Sequence, residues 1–189
     1  MQNNSLSRAE LSNDTGSVLN VHYGDILIKF GEVIDAEREQ LPSIVDESII
    51  DKYQASVLQD GDVIIADAAE DETVGKCSEI KGIGNKNILA GLHTIPVRPK
   101  IKYACGYMGY FMNSTAYHNQ LLPLIQGTKV SSVSKSTIQE TDIIFPKNET
   151  EQEKIGTYFQ QLDSLITLHQ RKCDELQNMK KFMLQNMFV

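Results

Sequence analysis

Apolar positions near the end of the chain recur at alternating steps of four and three: Ile155, Phe159, Leu162, Ile166, His169, Cys173, Leu176, Lys180, Met183 and Met187, of which eight are apolar. A repeat averaging 3.5 residues, with no proline inside it, predicts a helix that packs along another helix. From Ile155 to Met187 such a helix runs roughly 50 Å, longer than one small domain can cover. Thr150 and Glu153 have the T-x-x-E form of a capping box, so the helix is expected to begin there. A second stripe, Leu165, Leu168, Met179 and Phe182, is left either for another partner or for the chain's own globular part.

Upstream the periodicity shortens. Residues 1–20, rich in Asn, Ser and Asp, read as a turn-rich entry with a short helix near Ser7 to Leu11. Val21 to Phe30 reads as a buried strand broken by a Gly24-Asp25 turn, with His22 a strand residue. Ser48 to Tyr53 reads as a short connecting element. Gly61 makes a second Gly-Asp turn, followed by a strand over Asp62 to Ala66. Gly82-Ile83-Gly84 reads as a hairpin turn; it lacks the further glycines or the Gly-Lys-Ser/Thr of a nucleotide loop. Leu92 to Val97 alternates as an edge strand ended by Pro99. Tyr103 to Leu122 suggests one or two packed helices with core aromatics. Gly127 to Ser136 alternates around Val130 and Val133, Ile138 to Phe145 is expected to close the sheet, and Pro146 marks the exit. The fold class is therefore α+β: a globular mixed domain over residues 1–148, then one long helix over 149–189 that pairs as an antiparallel coiled coil.

Charge changes this picture by being uneven. Residues 1–75 carry four Lys/Arg against 16 Asp/Glu, whereas residues 76–148 carry nine against three, within a net charge of −7. A basic middle in an acidic protein fits nucleic-acid contact on one face, and equally a solvated basic surface. The acidic run Asp67 to Glu72 lacks the alternation and central Gly of a calcium loop and reads as a solvated loop. Cys77, Cys105 and Cys173 stand far apart, with no Cys-x-x-Cys and no His/Cys pair at ligand spacing, which argues against a zinc site or a disulfide framework. No apolar run is long enough for a membrane span and the polar start has no signal-peptide core, so no membrane association and a soluble, cytoplasmic protein are expected.

Pro146 followed by Glu151-Gln152-Glu153-Lys154-Ile155-Gly156, then Leu162-Asp163-Ser164-Leu165-Ile166, then Leu176 to Lys181 and Gln185 to Phe188, resembles the helical region of type I restriction-modification specificity subunits. Gly61-Asp62-Val63-Ile64, Ala90-Gly91-Leu92-His93 and Gly127-Thr128-Lys129-Val130-Ser131 match, more loosely, landmarks of that family's target recognition domains. Family members usually hold two recognition domains and two such helices; this sequence has one of each, a half-subunit or a fragment. The resemblance implies a domain over 1–148 that reads a few base pairs of double-stranded DNA and a spacer helix that docks methyltransferase subunits, and through them the restriction subunit. It implies no catalysis and no cofactor in this chain, S-adenosylmethionine being expected on the methyltransferase. The sequence has no Asn-Pro-Pro-Tyr-like methylation motif.

On that resemblance the expected DNA-contacting residues are Lys76, Lys81, Lys86, Asn87, Arg98, Lys102, Lys129, Ser131, Ser134 and Lys135, with Arg8 as an outlier. Lysines and small hydroxyls suit phosphates, while Arg98 or Asn87 suits base edges. An identical chain running antiparallel is the expected partner of the ten-residue stripe, with His169 and Lys180 as register devices rather than metal ligands. The competing reading is a coiled-coil protein-interaction module that does not bind DNA.

Overall fold

The computed structural model describes residues 1–127 and 129–188. Thr128, in the Gly127 to Ser136 run, and Val189, the end of the expected helix, lie outside the described residues. In chain order the elements are β1 (Leu11–Ser12), β2 (Val18–Val21), α1 (Tyr23–Ile28), β3 (Val33–Asp35), β4 (Ser43–Ile44), α2 (Ile49–Tyr53), β5 (Val63–Ala66), β6 (Ala68–Ala69), β7 (Cys77–Lys81), β8 (Asn87–Ala90), β9 (Thr94–Val97), α3 (Tyr107–Met112), α4 (Thr115–Leu121), β10 (Ser131–Ser132), α5 (Lys135–Gln139) and α6 (Glu149–Asn186). The architecture is α+β with a long C-terminal helix.

Two four-stranded sheets, ordered β1-β4-β2-β8 and β3-β7-β5-β9, are formed among the described residues, with a β6-β10 ribbon beside them. In β5 all four residues are buried, Ile64 and Ala66 facing one apolar cluster and Val63 and Ile65 the other. Burial on both faces explains why this strand reads as a continuous apolar run. The first cluster includes Val21, Ile26, Phe30, Ile34, Leu58, Ile80 and Ile88; the second packs Ile95, Met108, Met112, Tyr117 and Leu121 against the opposite side of β5. As expected, β9 is an edge strand, and it tolerates Pro96 for that reason.

Several local expectations are corrected. Gly24 and Asp25 lie in the first turn of α1, not in a turn between strands. His22 is its N-cap, its Nδ1 accepting a hydrogen bond from the Gly24 amide at 3.2 Å. The β-branched run hid a helical stripe: Tyr23, Ile26, Leu27 and Phe30 pack on the first cluster, while Ile28 is 89% exposed. The Gly82 to Gly84 turn does not close a hairpin, because β7 and β8 belong to different sheets. Ala68 and Ala69 of the acidic stretch are buried strand residues paired with Ser132 and Ser131. No strand forms between Ile138 and Phe145; α5 ends at Gln139 and an irregular segment follows. Finally, α6 starts earlier than the Thr150 box, at Glu149, with Asn148 as N-cap accepting from the Thr150 amide at 3.0 Å.

The 38 residues of α6 span about 57 Å. Only its first part meets the domain. The Gln152 side chain accepts from the Ala104 amide at 3.0 Å and donates to the Pro146 carbonyl at 2.7 Å. Gly156 lies against the Cys105 carbonyl, the Phe159 ring stacks on Tyr110, and the Tyr110 hydroxyl donates to Asp163 at 2.5 Å. The segment that receives the helix is itself tied down by Glu79 of β7, which accepts from the Gly106 amide at 2.6 Å and the Gly109 amide at 3.1 Å. From Gln161 onward every described residue of α6 is exposed.

Candidate nucleic-acid interface

Beyond β9 the chain continues as an irregular strap, Arg98-Pro99-Lys100-Ile101-Lys102, that bends at Lys100 and Ile101. The strap walls a groove of about 560 Å³ together with Lys81, Asp60, Asp62, Glu79, Glu149 and Glu153. This brings three of the expected residues, Lys81, Arg98 and Lys102, to one place. It also adds Lys100, which the sequence reading passed over. The signal for it was available: Lys100 stands between Arg98 and Lys102 in the same basic run of the sequence.

The charges of the groove are unequally available. Arg98 holds Asp62, a residue 1% exposed, through Nε at 2.8 Å and one terminal nitrogen at 2.7 Å, and also donates to the Val57 carbonyl. Asp62 raises the Arg98 pKa through this paired hydrogen bond. Much of its fork is therefore turned inward. Lys81 stands 3.9 Å from Asp35, and Lys102 3.3 Å from Glu149 in a pair whose side chains are 87% and 58% exposed. An exposed pair of that kind contributes little and is easily exchanged for another anion. Lys100 is exposed and forms no ion pair among the described residues.

Lys100 also lines a neighbouring apolar cleft of about 440 Å³, formed by Ile95, Pro96, Met108, Met112 and Tyr117, whose other wall carries Lys135. Lys135 donates to the Met1 carbonyl at 3.3 Å and leads α5. Lys81, Lys100 and Lys102 thus line the groove, Lys100 and Lys135 the cleft, and Lys100 is common to both. Ser134 is the N-cap of α5, accepting from the Thr137 amide at 3.1 Å, and Ser131 sits in β10; Lys129 is exposed just before it.

The remaining expected residues lie elsewhere. Lys76 donates to the Leu27 and Phe30 carbonyls, 3.2 and 3.1 Å away, and closes the C-terminal end of α1. Lys86 donates to the Ala36 carbonyl, with exposed Asn87 beside it at the start of β8. Arg8 forms a two-pronged pair with Asp25 at 2.8 and 2.9 Å. On α6 the ten-residue stripe divides. Ile155 packs on the second apolar cluster and Phe159 on Tyr110, whereas Leu162, Ile166, His169, Cys173, Leu176, Lys180, Met183 and Met187 face solvent.

Among the described residues no helix is long and apolar enough to cross a membrane. The family model described as type I restriction modification DNA specificity domain matches residues 16–178. No curated protein matches the chain.

Proposed function

The chain belongs to the type I restriction modification DNA specificity family, and from that premise we propose that it reads one half of a two-part DNA target while α6 pairs with a second copy of the chain and docks methyltransferase subunits. The observation that carries this reading is the distal half of α6, whose large apolar side chains stand in solvent, Ile166 at 66%, Leu176 at 53% and Met187 at 65%. Each such side chain is worth about 1.5–3 kcal/mol when buried, so a partner helix is strongly favoured.

An identical helix running antiparallel satisfies the stripe with two-fold symmetry and sets two domains at opposite ends of the pair. Each domain meets one half-site. The bases between are spanned rather than read, and identical halves call for inverted half-sites. The second stripe, Leu165, Leu168, Met179 and Phe182, is then left for the methyltransferase, which supplies S-adenosylmethionine and links to the restriction subunit. The groove and cleft supply phosphate contacts through Lys81, Lys100, Lys102 and Lys135, with Lys129, Ser131 and Ser134 added to them; Asn87 and the outer face of Arg98 are the base-reading candidates. Lys76, Lys86 and Arg8, committed to the Leu27 and Phe30 carbonyls, the Ala36 carbonyl and Asp25, are left out of this contact set.

With a net charge of −7 the chain alone should bind DNA weakly, and tightly only when the methyltransferase closes around the duplex. A mobility shift with and without that subunit checks this. In the assembled complex, Lys100→Ala with Lys102→Ala should weaken binding to every sequence and lower the salt slope by about one per lysine. Unchanged binding and slope would remove the strap from the interface. A complex that forms but shifts no DNA would favour the protein-interaction reading.

A further inference from the structure

The stretch Ala90-Gly91-Leu92-His93 carries the chain from β8 in one sheet to β9 in the other. It is pinned from several directions. The Gly91 amide donates to the Val21 carbonyl at 2.8 Å, and the Gly91 carbonyl accepts from Thr94 Oγ1 at 2.6 Å and Asn3 Nδ2 at 3.3 Å. The His93 carbonyl accepts from the Asp67 amide at 3.0 Å. A Cβ on Gly91 would stand 2.7 Å from Asn20 Nδ2, so the backbone approaches its neighbours as closely as only glycine allows.

His93 ends this turn with φ at +52°, the one positive φ of a non-glycine residue among the described residues. Glycine adopts that conformation freely, whereas a residue with a Cβ does so at a cost. Burial does not account for the histidine, whose side chain is 51% exposed. The ring is nevertheless oriented from two sides. Its Nδ1 lies 3.1 Å from Asp67 Oδ1, and it meets Tyr23 edge-on, with centroids 5.3 Å apart and planes at 77°. A carboxylate only accepts, so Nδ1 carries the hydrogen, and the neutral ring keeps a lone pair on Nε2. Nε2 has no hydrogen-bond partner among the described residues. The Asp67 carbonyl in turn accepts from the Val133 amide at 2.9 Å, which ties this dyad to the segment that carries Ser131, Ser134 and Lys135.

We propose that His93 is a base-reading residue, its Nε2 accepting a hydrogen bond from the exocyclic amino group of an adenine or cytosine in the major groove, with Asp67 as the positioning residue that fixes the tautomer. The proposal rests on the DNA-reading role put forward above. A ring held at a strained backbone position, on a turn pinned at both ends and with one nitrogen already committed, is preorganised for a partner outside the chain. The bare acceptor selects for an amino group and against phosphate, because a phosphate oxygen also only accepts; the lysines serve phosphate instead.

The test uses the full chain assembled with its methyltransferase, with preferred duplexes selected from random DNA and the salt dependence of binding measured on them. His93→Gly removes the ring at a φ that glycine favours. Its complex should lose discrimination by about five- to tenfold at a single A·T or C·G position, with the salt slope unchanged. Asp67→Asn offers the ring a donor as well as an acceptor, so it should relax the same position to a smaller extent, again without a change in slope. Because the Asp67 backbone bonds do not involve its side chain, this second variant tests the idea even if the first melts early. Which base loses preference distinguishes adenine from cytosine. Unaltered preference at every position in both variants would overturn the proposal and leave DNA reading intact. A uniform loss over all sequences with a shallower slope would make His93 a phosphate contact, and loss of assembly would place it against the methyltransferase; either result overturns base reading. A parent complex that assembles but selects no sequence would overturn the DNA-reading role and this inference together.

Discussion

At the scale of single residues, the polar groups that matter most are those whose hydrogen bonds are made inside the chain. His22 illustrates this. Its Nδ1 must be unprotonated to accept from the Gly24 amide, and burial, with Arg8 nearby, holds its pKa below the ordinary value of 6.5. The unfolded chain therefore takes up a proton that the folded chain resists, so this contribution is fully present above pH 6.5 and is lost as pH falls through the folded value. Asparagine caps helices as well as any residue, does not titrate, and preserves a cap worth about 0.5–2 kcal/mol. His22→Asn should match the parent in thermal midpoint near neutrality and lose less of it between about pH 7 and pH 5.5. Equal losses in the two proteins would remove His22 as the source. The same inward commitment makes Lys76 and Lys86 poor guides to a DNA surface. In the sequence they are indistinguishable from Lys100, because only the fold places the Leu27, Phe30 and Ala36 carbonyls beside their ammonium groups.

At the scale of elements, α6 is one helix with two regimes. Up to Asp163 it is bolted to the domain, and past that point it is bare. Substitutions should split accordingly. Gln152→Ala leaves the Ala104 amide and Pro146 carbonyl without partners in a buried joint, a cost of about 1–3 kcal/mol visible in the melting of the isolated chain. Leu162→Glu or Ile166→Glu touches no core and should leave domain melting within about 0.5 kcal/mol while abolishing helix pairing and assembly with the methyltransferase. Assembly that survives either glutamate would place the pairing surface elsewhere. The sequence disclosed this helix well, because a 3.5-residue repeat is a long-range signal that local context does not obscure. It disclosed α1 poorly: six residues hold barely one repeat, and Ile26-Leu27-Ile28 satisfies strand and helix alike until burial shows that only Ile26 is fully enclosed. The absent closing strand has a similar cause. Ile143 and Ile144 look like strand residues, yet they are exposed, and the edge strand β9 does not pair with them. Of the residues proposed to face DNA, Lys81 comes beside Arg98 and Lys102 in one groove, a proximity that no local pattern discloses because β7 and the strap are far apart in the chain.

At the scale of the whole molecule, the proposed function reduces to a distance. On the proposed pairing, a domain joined to the first part of α6 makes the separation of two DNA readers depend on the number of residues between the joint at Asp163 and the axis of the pair. Adding residues in multiples of seven preserves the seam and the facing of each stripe, whereas other insertions rotate the domains about the helix axis. One heptad inserted between Ile166 and His169 in both copies adds fourteen residues to the span from domain to domain, roughly 21 Å. At about 3.4 Å per base pair that corresponds to about six additional pairs between the half-sites. The insertion leaves the recognition domains untouched, so the half-sites should stay the same while the preferred gap lengthens. Methylation by the reconstituted complex on a DNA library of fixed half-sites and varied gaps measures this directly. A preferred gap unchanged by the insertion would mean that the methyltransferase, rather than α6, sets the spacing; a change in the half-sites themselves would mean that the helix takes part in reading them.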